Sequence, residues 1–243
     1  MTILEVSYPK SGTHLLLQIL QALVGSEETP PFFAVFESDG VERCQLDAMD
    51  WLRRLSPNQV AASHLYAWND VVALASKPPF VTYFIHRDLR DVCVSYVAHV
   101  TSIDPSHYHH ARYASMQSFS DQLMASILDV PGSNSNIGSR FRPYLGWLEC
   151  PTVLAIKFKD LTRHRHETLS RIIRHYEKRS GRKPFVDTPE LLETYMRPEL
   201  SGTFVAGTSG RWRECFTQAH KKAFKEVAGD LLIRLGYERN NDW

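Results

Sequence analysis

A lysine, a glycine and several hydroxyl or imidazole side chains follow one another where a β-prone run gives way to an apolar run. The segment reads Tyr8-Pro9-Lys10-Ser11-Gly12-Thr13-His14. A glycine turn at a helix start lets backbone N–H groups converge on an anion, and the helix dipole adds about half a positive charge. Because the lysine precedes the glycine, this is not the GxxxxGK[ST] loop of nucleotide kinases. We predict an anion-binding loop; a simple polar turn is the alternative.

A second junction between a strand and a helix carries an arginine and a serine. Arg87 lies just after the β-prone run 80–85, and Ser95 lies two helical turns further on. Loops that follow parallel strands meet along one sheet edge, so both side chains are placed to contact a phosphate. The alternative is a helix start whose Arg–Asp pairs lie on a solvated face.

The elements that must position these residues alternate between strands and helices. Strands are predicted at 3–8, 59–63, 80–85 and 153–158. Helices are predicted near 14–24, 46–55, 67–75, 88–99, 119–128, 164–179, 189–196 and 218–235, with loops at 131–138 and 198–216. This alternation predicts an α/β fold with a central parallel sheet flanked by helices.

Composition limits the classes of partner. The 243 residues carry 28 basic and 27 acidic side chains, a net charge of +1 that gives no general attraction to nucleic acid or to an anionic membrane. Four widely spaced cysteines form no CxxC, so we expect buried thiols in a reducing compartment rather than disulfides or a zinc site. The apolar run 15–24 is too short to cross a bilayer, and no cleavage site follows it. We expect a cytoplasmic protein.

Together these residues resemble the sulfotransferases that use PAPS (3′-phosphoadenosine 5′-phosphosulfate) and release PAP. The family's PKSGTxxL loop is matched by residues 9–16, and its 3′-phosphate motif by Arg87 and the segment Asp91-Val92-Cys93-Val94-Ser95-Tyr96. Its catalytic T/S-H-L segment is matched by Ser63-His64-Leu65, and its GxxGxWxxxFT motif by Gly207, Gly210, Trp212, Phe216 and Thr217. These four motifs occur in the family's order over about residues 1–217.

The resemblance implies a single domain over 1–243 with a fold related to P-loop nucleotide kinases. It implies transfer of a sulfuryl group from PAPS to a small-molecule hydroxyl or amine, with His64 as base, Lys10 stabilising the leaving PAP and no metal. Segment 102–140 would form the acceptor-side lid, and 198–217 a loop over the nucleotide. The implied nucleotide-binding residues are Lys10, Ser11, Gly12, Thr13, His14, Arg87, Ser95, Phe158, Gly207, Gly210, Arg211 and Trp212.

Departures from the family pattern leave alternatives open. Val205-Ala206 replaces an Arg-Lys pair, and we expect Arg211 to be the main substitute. Two other functions are compatible with the sequence. One is a nucleotide or small-molecule kinase on the same fold, and the other is a PAP-binding module that has lost catalysis. An oligomer is possible, but the family's KxxxTVxxxE motif is not intact at residues 213–222. The histidine-rich segment 106–110 is expected to be a solvated loop near the acceptor rather than a metal site.

Overall fold

The computed structural model describes residues 1–35, 42–129, 135–197 and 209–243. The chain divides into two compact units. One comprises Met1–His86 and Pro143–Phe204, and the other comprises Arg87–Arg142 and Val205–Trp243.

The first unit contains a parallel five-stranded sheet. Its strands are β1 (Thr2–Ser7), β2 (Phe32–Ala34), β3 (Val60–His64), β4 (Phe80–His86) and β5 (Leu154–Lys157), in the order β2-β3-β1-β4-β5. All four strand pairings are parallel, which confirms the predicted α/β fold with a central parallel sheet. Strand β2 was not predicted, because the Pro30-Pro31 pair before it was interpreted as the start of a loop.

Each of the eight predicted helices is present, and the described chain also contains five short helices that were not predicted, one of them within the predicted loop 198–216. The helices are α1 (Thr13–Val24), α2 (Gln45–Arg54), α3 (Asn69–Ala75), α4 (Leu89–Ala98), α5 (His110–Ala114), α6 (Phe119–Leu128), α7 (Ile137–Phe141), α8 (Gly146–Glu149), α9 (Phe158–Arg163), α10 (Arg165–Ser180), α11 (Pro189–Glu193), α12 (Trp212–Cys215) and α13 (Gln218–Arg234). A π-helical turn, His99–Ile103, follows α4, and a 3₁₀ turn, Arg142–Tyr144, follows α7.

The core of the first unit lies between the sheet and two helices. Side chains of β1, β3 and β4 face α1 and α10, and the cluster is apolar. It includes Ile3, Val60, Val81, Ile85, Leu16, Ile19, Leu20, Leu169 and Ile172. Burying each such side chain stabilises the fold by about 1.5–3 kcal/mol. This packing fixes the carboxyl ends of β1 and β3, where the candidate site begins.

The segment 102–140 contains more regular structure than predicted. Its described part holds α5, α6 and the start of α7 in addition to the π-helical turn. The predicted loop 131–138 overlaps α7, because Asn136 caps that helix by accepting a hydrogen bond from the Ser139 N–H. In the second unit α6 packs against both α4 and α13.

A buried guanidinium group organises the second unit. Arg90 is 1% exposed and forms ion pairs of 2.7 Å with Asp88 and with Glu238. Its guanidinium carbon lies 3.7 Å from the ring centroid of Trp212 and 4.3 Å from that of Trp243. Arg90 therefore has a structural role, because two carboxylates and two indole rings of the described chain contact its guanidinium group.

One expectation about the thiols is wrong. Cys44 is exposed, because it precedes α2 at its N-cap, whereas Cys93 is buried and Cys150 and Cys215 are partly buried. Within the described ranges, no helix combines the length and apolarity needed to cross a membrane.

We predict that Arg90→Ala lowers the free energy of unfolding by about 3–5 kcal/mol, because it leaves two partly buried carboxylates without their cation. Arg53→Ala is the matched control, since Arg53 pairs with Asp50 where both side chains are about 60% exposed; its loss should stay below about 1 kcal/mol. Urea unfolding measures both. Equal losses would contradict the structural role of Arg90.

Candidate active site

The loop between β1 and α1 has the backbone conformation of a tight anion-binding turn. Lys10 and Gly12 adopt left-handed φ angles of 67° and 109°, and the Ser11 N–H donates to the Tyr8 carbonyl at 3.1 Å. A Cβ atom at Gly12 would lie 2.5 Å from Cδ2 of Phe158, so the glycine is required by both conformation and space. The loop therefore leads directly into the N-terminus of α1.

The loop's hydroxyl groups lie in different surroundings. Ser11 is fully buried, and within the described residues its Oγ has no hydrogen-bond partner. Thr13 Oγ1 lies 2.7 Å from Ser7 Oγ at the end of β1. An orphaned hydroxyl beside a lysine and a helix N-terminus fits an oxyanion such as a phosphate, for which each of these groups is a donor or a positive charge.

The predicted base lies at the end of the neighbouring strand. His64 is the last residue of β3, and its Nδ1 is 2.9 Å from the Ser7 carbonyl oxygen and 3.3 Å from Ser7 Oγ. A carbonyl oxygen only accepts, so Nδ1 carries the hydrogen and donates it. In the neutral ring Nε2 then holds a lone pair and can accept a proton.

The electrostatic surroundings keep His64 neutral. Burial and, to a smaller extent, the charges of His14 and Lys10 lower its pKa to about 4, although hydrogen bonds with the backbones of Ser7 and Ser63 oppose the shift. The histidine and the lysine of the loop are thus close enough to interact. At neutral pH the ring is an unprotonated base next to a cation.

Aromatic side chains surround this histidine, and the sequence analysis did not identify them. The Phe32 ring meets the His64 ring edge-on at 5.1 Å, and Phe32 is 52% exposed. The Tyr144 hydroxyl donates to the His64 carbonyl at 3.3 Å, and its ring contacts those of Tyr8 and Tyr66. The parallel pairing of β2 with β3, which brings Phe32 here, depends on a three-residue strand with no clear local pattern.

In the second unit, an aspartate holds the loop that follows the undescribed segment 198–208. The Asp91 carboxylate accepts hydrogen bonds from Gly210 N at 2.7 Å and Trp212 N at 3.1 Å. Gly210 has a left-handed φ of 98°, which lets both N–H groups turn toward the same carboxylate. Asp91 lies in the predicted phosphate motif, but no separate role was predicted for it.

That loop brings two predicted arginines near each other. Burial lowers the pKa of Arg87, Arg211 lowers it further by repulsion, and Asp91, Tyr237 and Asp88 oppose the shift. Arg87 and Arg211 therefore lie within electrostatic reach of each other. Ser95 is buried on α4, two turns after Arg87.

Two aromatic residues that were predicted to contact a nucleotide base belong to the packed interior. Phe158 is 5% exposed and packs beneath Gly12. Trp212 is 4% exposed, and one face of its ring is covered by Arg90. Contact of either ring with a nucleotide stays a prediction. Gly207 lies outside the described residues, as do Val205 and Ala206.

The histidine-rich segment is not wholly solvated, which corrects the prediction. His109 is 5% exposed, and its Nδ1 lies 2.6 Å from the Tyr96 hydroxyl, because α5 folds this segment against α4. Across the described ranges, no three His, Cys, Asp or Glu side chains are grouped so as to hold a metal ion.

The sequence also missed two buried titratable groups at strand positions. Glu5 lies fully buried in β1, and burial raises its pKa to about 8. His86 ends β4, and burial lowers its pKa to about 3, helped by Lys157 and Lys159. Glu5 lies in a run interpreted only as β-prone and His86 directly follows another, so the strand order was needed to reveal their burial.

The central strand of the parallel sheet leads into a tight turn at a helix N-terminus, and a neutral histidine ends the next strand, at the edge where α/β folds commonly bind ligands. The model of the sulfotransferase domain family matches residues 2–236. The chain therefore belongs to the sulfotransferase domain family, whose members transfer sulfuryl groups.

Solved structures agree on the fold. Mouse sulfotransferase SULT7A1, solved with PAP, is 17% identical with a TM-score of 0.66, over 98% of this chain and 86% of that one. Retinol dehydratase, solved with androsterone and the inactive cofactor PAP, is 14% identical with a TM-score of 0.62, over 95% of this chain and 80% of that one. No curated protein matches the chain by sequence.

We predict that Gly12→Ala lowers the free energy of unfolding by about 2–4 kcal/mol, the sum of a left-handed alanine and a clash with Phe158. Gly181→Ala is the matched control, because Gly181 also has a positive φ, of 67°, but nothing lies within 4 Å of its would-be Cβ. That control should lose about 1 kcal/mol. Urea unfolding of both variants decides, and equal losses would show that the packing against Phe158 is unimportant.

Proposed function

We propose that this protein transfers a sulfuryl group from PAPS to a hydroxyl or amine of a small-molecule acceptor. The observation that carries the proposal is the position of Ser7 Oγ, 2.7 Å from Thr13 Oγ1 in the loop and 3.3 Å from His64 Nδ1. One side chain thus joins an anion-binding loop to a neutral base. Family membership supports sulfuryl rather than phosphoryl transfer.

The loop residues are suited to the 5′-phosphosulfate. PAPS supplies an activated sulfuryl group and a phosphate leaving group. Ser11 Oγ, buried without a partner in the described chain, and the hydroxyl of Thr13 would donate to phosphate oxygens. Lys10 would stabilise the negative charge that grows on the leaving oxygen. Such a preorganised charge acts mainly in the transition state, where charge develops.

His64 would accept the proton of the acceptor. Its Nδ1–H is fixed on the Ser7 carbonyl at 2.9 Å, which orients the ring and leaves Nε2 as the basic atom. The low pKa keeps the ring ready to accept, and the hydrogen bond to the carbonyl stabilises the imidazolium that forms. The half-exposed Phe32 ring at 5.1 Å would pack against the acceptor beside the base.

Arg87 and Arg211 would hold the 3′-phosphate. The pKa of Arg87 responds to Arg211, so the two side chains lie within electrostatic reach. Asp91 fixes the peptide groups on both sides of Arg211, at Gly210 and Trp212, and this restrains the arginine without pairing with its charge. On this basis Arg211 takes the part of the cations that the Val205-Ala206 pair does not supply.

The proposal is tested with radiolabelled PAPS and a panel of phenols, alcohols, amines and glycosides. We expect turnover in wild type and a loss of about 10²–10⁴-fold in His64→Gln, the range for a positioned general base, with little change in PAP affinity. Turnover with ATP and Mg²⁺ instead would support the kinase alternative.

His175→Gln is the matched control for this substitution. His175, on α10, also has a pKa lowered to about 4, and its Nε2 lies 3.2 Å from the carbonyl oxygen of Thr82 on β4. Turnover of this variant should stay within about twofold of wild type, since the His175 ring contacts Thr82 rather than Ser7. PAP binding without turnover on every acceptor would favour the non-catalytic module.

The contribution of Arg211 is measured by comparing PAP with adenosine 5′-phosphate, which differs only by the 3′-phosphate. A charge-assisted hydrogen bond is worth about 1.5–3 kcal/mol, so Arg211→Ala should reduce the preference for PAP roughly 10- to 150-fold. Arg213→Ala, which removes the same charge from an exposed position two residues on, is the control. Isothermal titration gives both affinities. An unchanged preference in Arg211→Ala would rule out its role.

A further inference from the structure

A second titratable group lies beside the candidate base, and the proposed mechanism does not use it. Glu5 is the fourth residue of β1 and is completely buried. Its register partners are Ala62 on β3 and Tyr83 on β4. A carboxyl group in the middle of a central strand costs folding free energy unless it is paired, and within the described chain no cation pairs with Glu5.

The contacts of Glu5 lead toward His64. The Ser63 N–H donates to Glu5 Oε2 at 3.3 Å, and the Ser63 hydroxyl donates to the Glu5 carbonyl at 3.0 Å. Ser7 lies two positions after Glu5, on the same face of the strand. Its Oγ is 3.3 Å from His64 Nδ1. The Ser63 peptide group and the Ser7 hydroxyl therefore lie between the Glu5 carboxyl and the His64 ring.

We propose that Glu5 is a positioning residue for His64, which in its ionised form places a negative charge behind Ser7 and increases the basicity of the imidazole. The proposal rests on the function of His64 proposed above. Ionised Glu5 would accept a hydrogen bond from the Ser7 hydroxyl. The lone pairs of Ser7 Oγ would then face the Nδ1–H of His64, and the imidazolium formed during proton acceptance would be stabilised.

The protonation state of Glu5 changes in an accessible pH range. Burial raises its pKa to about 8, and the Ser7 side chain and the Ser63 N–H only partly oppose this shift. Among the described residues its Oε1 has no hydrogen-bond partner, which also favours the neutral form. The carboxyl is therefore protonated at pH 6 and ionised at pH 9, and its proton goes to solvent before the acceptor reacts.

The other titratable groups around the pair differ in their behaviour. On β4, burial raises the pKa of Tyr83 well above its usual range. On α1, burial and Lys10 lower the pKa of His14, and on β3 the pKa of His64 is about 4. Lys10 supplies positive charge from the loop. The change of charge between pH 7 and pH 9 therefore falls on Glu5.

The test is the pH profile of turnover in wild type and Glu5→Gln, with an alcohol acceptor that does not itself titrate. Base strength enters the rate through a Brønsted relation, so we expect wild-type turnover to rise about three- to tenfold through pH 8. Glu5→Gln, which matches the neutral carboxyl in shape, should lose that rise. Glu27→Gln, at an exposed glutamate, should keep it. A rise retained in Glu5→Gln would overturn the proposal.

A second measurement does not depend on sulfuryl transfer. The ring ¹⁵N shifts of His64, assigned with His64→Gln, should move with an inflection near pH 8 in wild type and not in Glu5→Gln. No inflection between pH 7 and pH 9 in wild type would overturn the proposal, whether or not any acceptor turns over and whether or not the variant folds. An inflection without PAPS turnover would leave Glu5 coupled to His64 and reject the proposed reaction alone.

Discussion

The Ser7 hydroxyl is the contact on which the site in the first unit depends. It ends the central strand, and it lies within hydrogen-bonding distance of Thr13 in the loop and His64 on the next strand. The sheet fixes His64, because β1 and β3 pair in parallel and end at the same edge, and Thr13 is fixed as the first residue of α1. Ser7 and His64, which come from different parts of the chain, are therefore held in register by the backbone hydrogen bonds of the sheet, which is more rigid than placement by loops.

In the second unit, carboxylates perform the corresponding task. Asp91 fixes the backbone on both sides of Arg211 by accepting hydrogen bonds from Gly210 and Trp212, which lie 119 and 121 positions further along the chain. Asp88 and Glu238 fix Arg90, whose guanidinium group lies between two indole rings. Arg87 and Arg90, three residues apart, therefore have different surroundings. Two carboxylates balance the charge of Arg90, whereas Arg87 lies within electrostatic reach of a second cation, Arg211, as well as of Asp91 and Asp88.

The sequence predicted the parts of this arrangement that have a local cause. Strands β1 and β4 are β-prone runs, the loop carries its own glycine, and His64 follows a short strand pattern. The sequence could not predict β2, whose three residues pair only because β3 offers an edge. It also could not predict that Asp91 meets Gly210, because contacts between distant residues leave no periodic pattern.

Glu5 illustrates the same limit in physical terms. Within the run 2–7 a single glutamate is compatible with a half-exposed strand, in which its carboxyl would face water. Strand order makes β1 central, and every residue of the run is then buried. Burial costs the ionised carboxylate more free energy than the neutral carboxyl, so the pKa of Glu5 lies well above its usual value. A polar chain of Glu5, Ser7 and Ser63 inside a mostly apolar sheet lowers stability beside His64, the residue proposed above as the base.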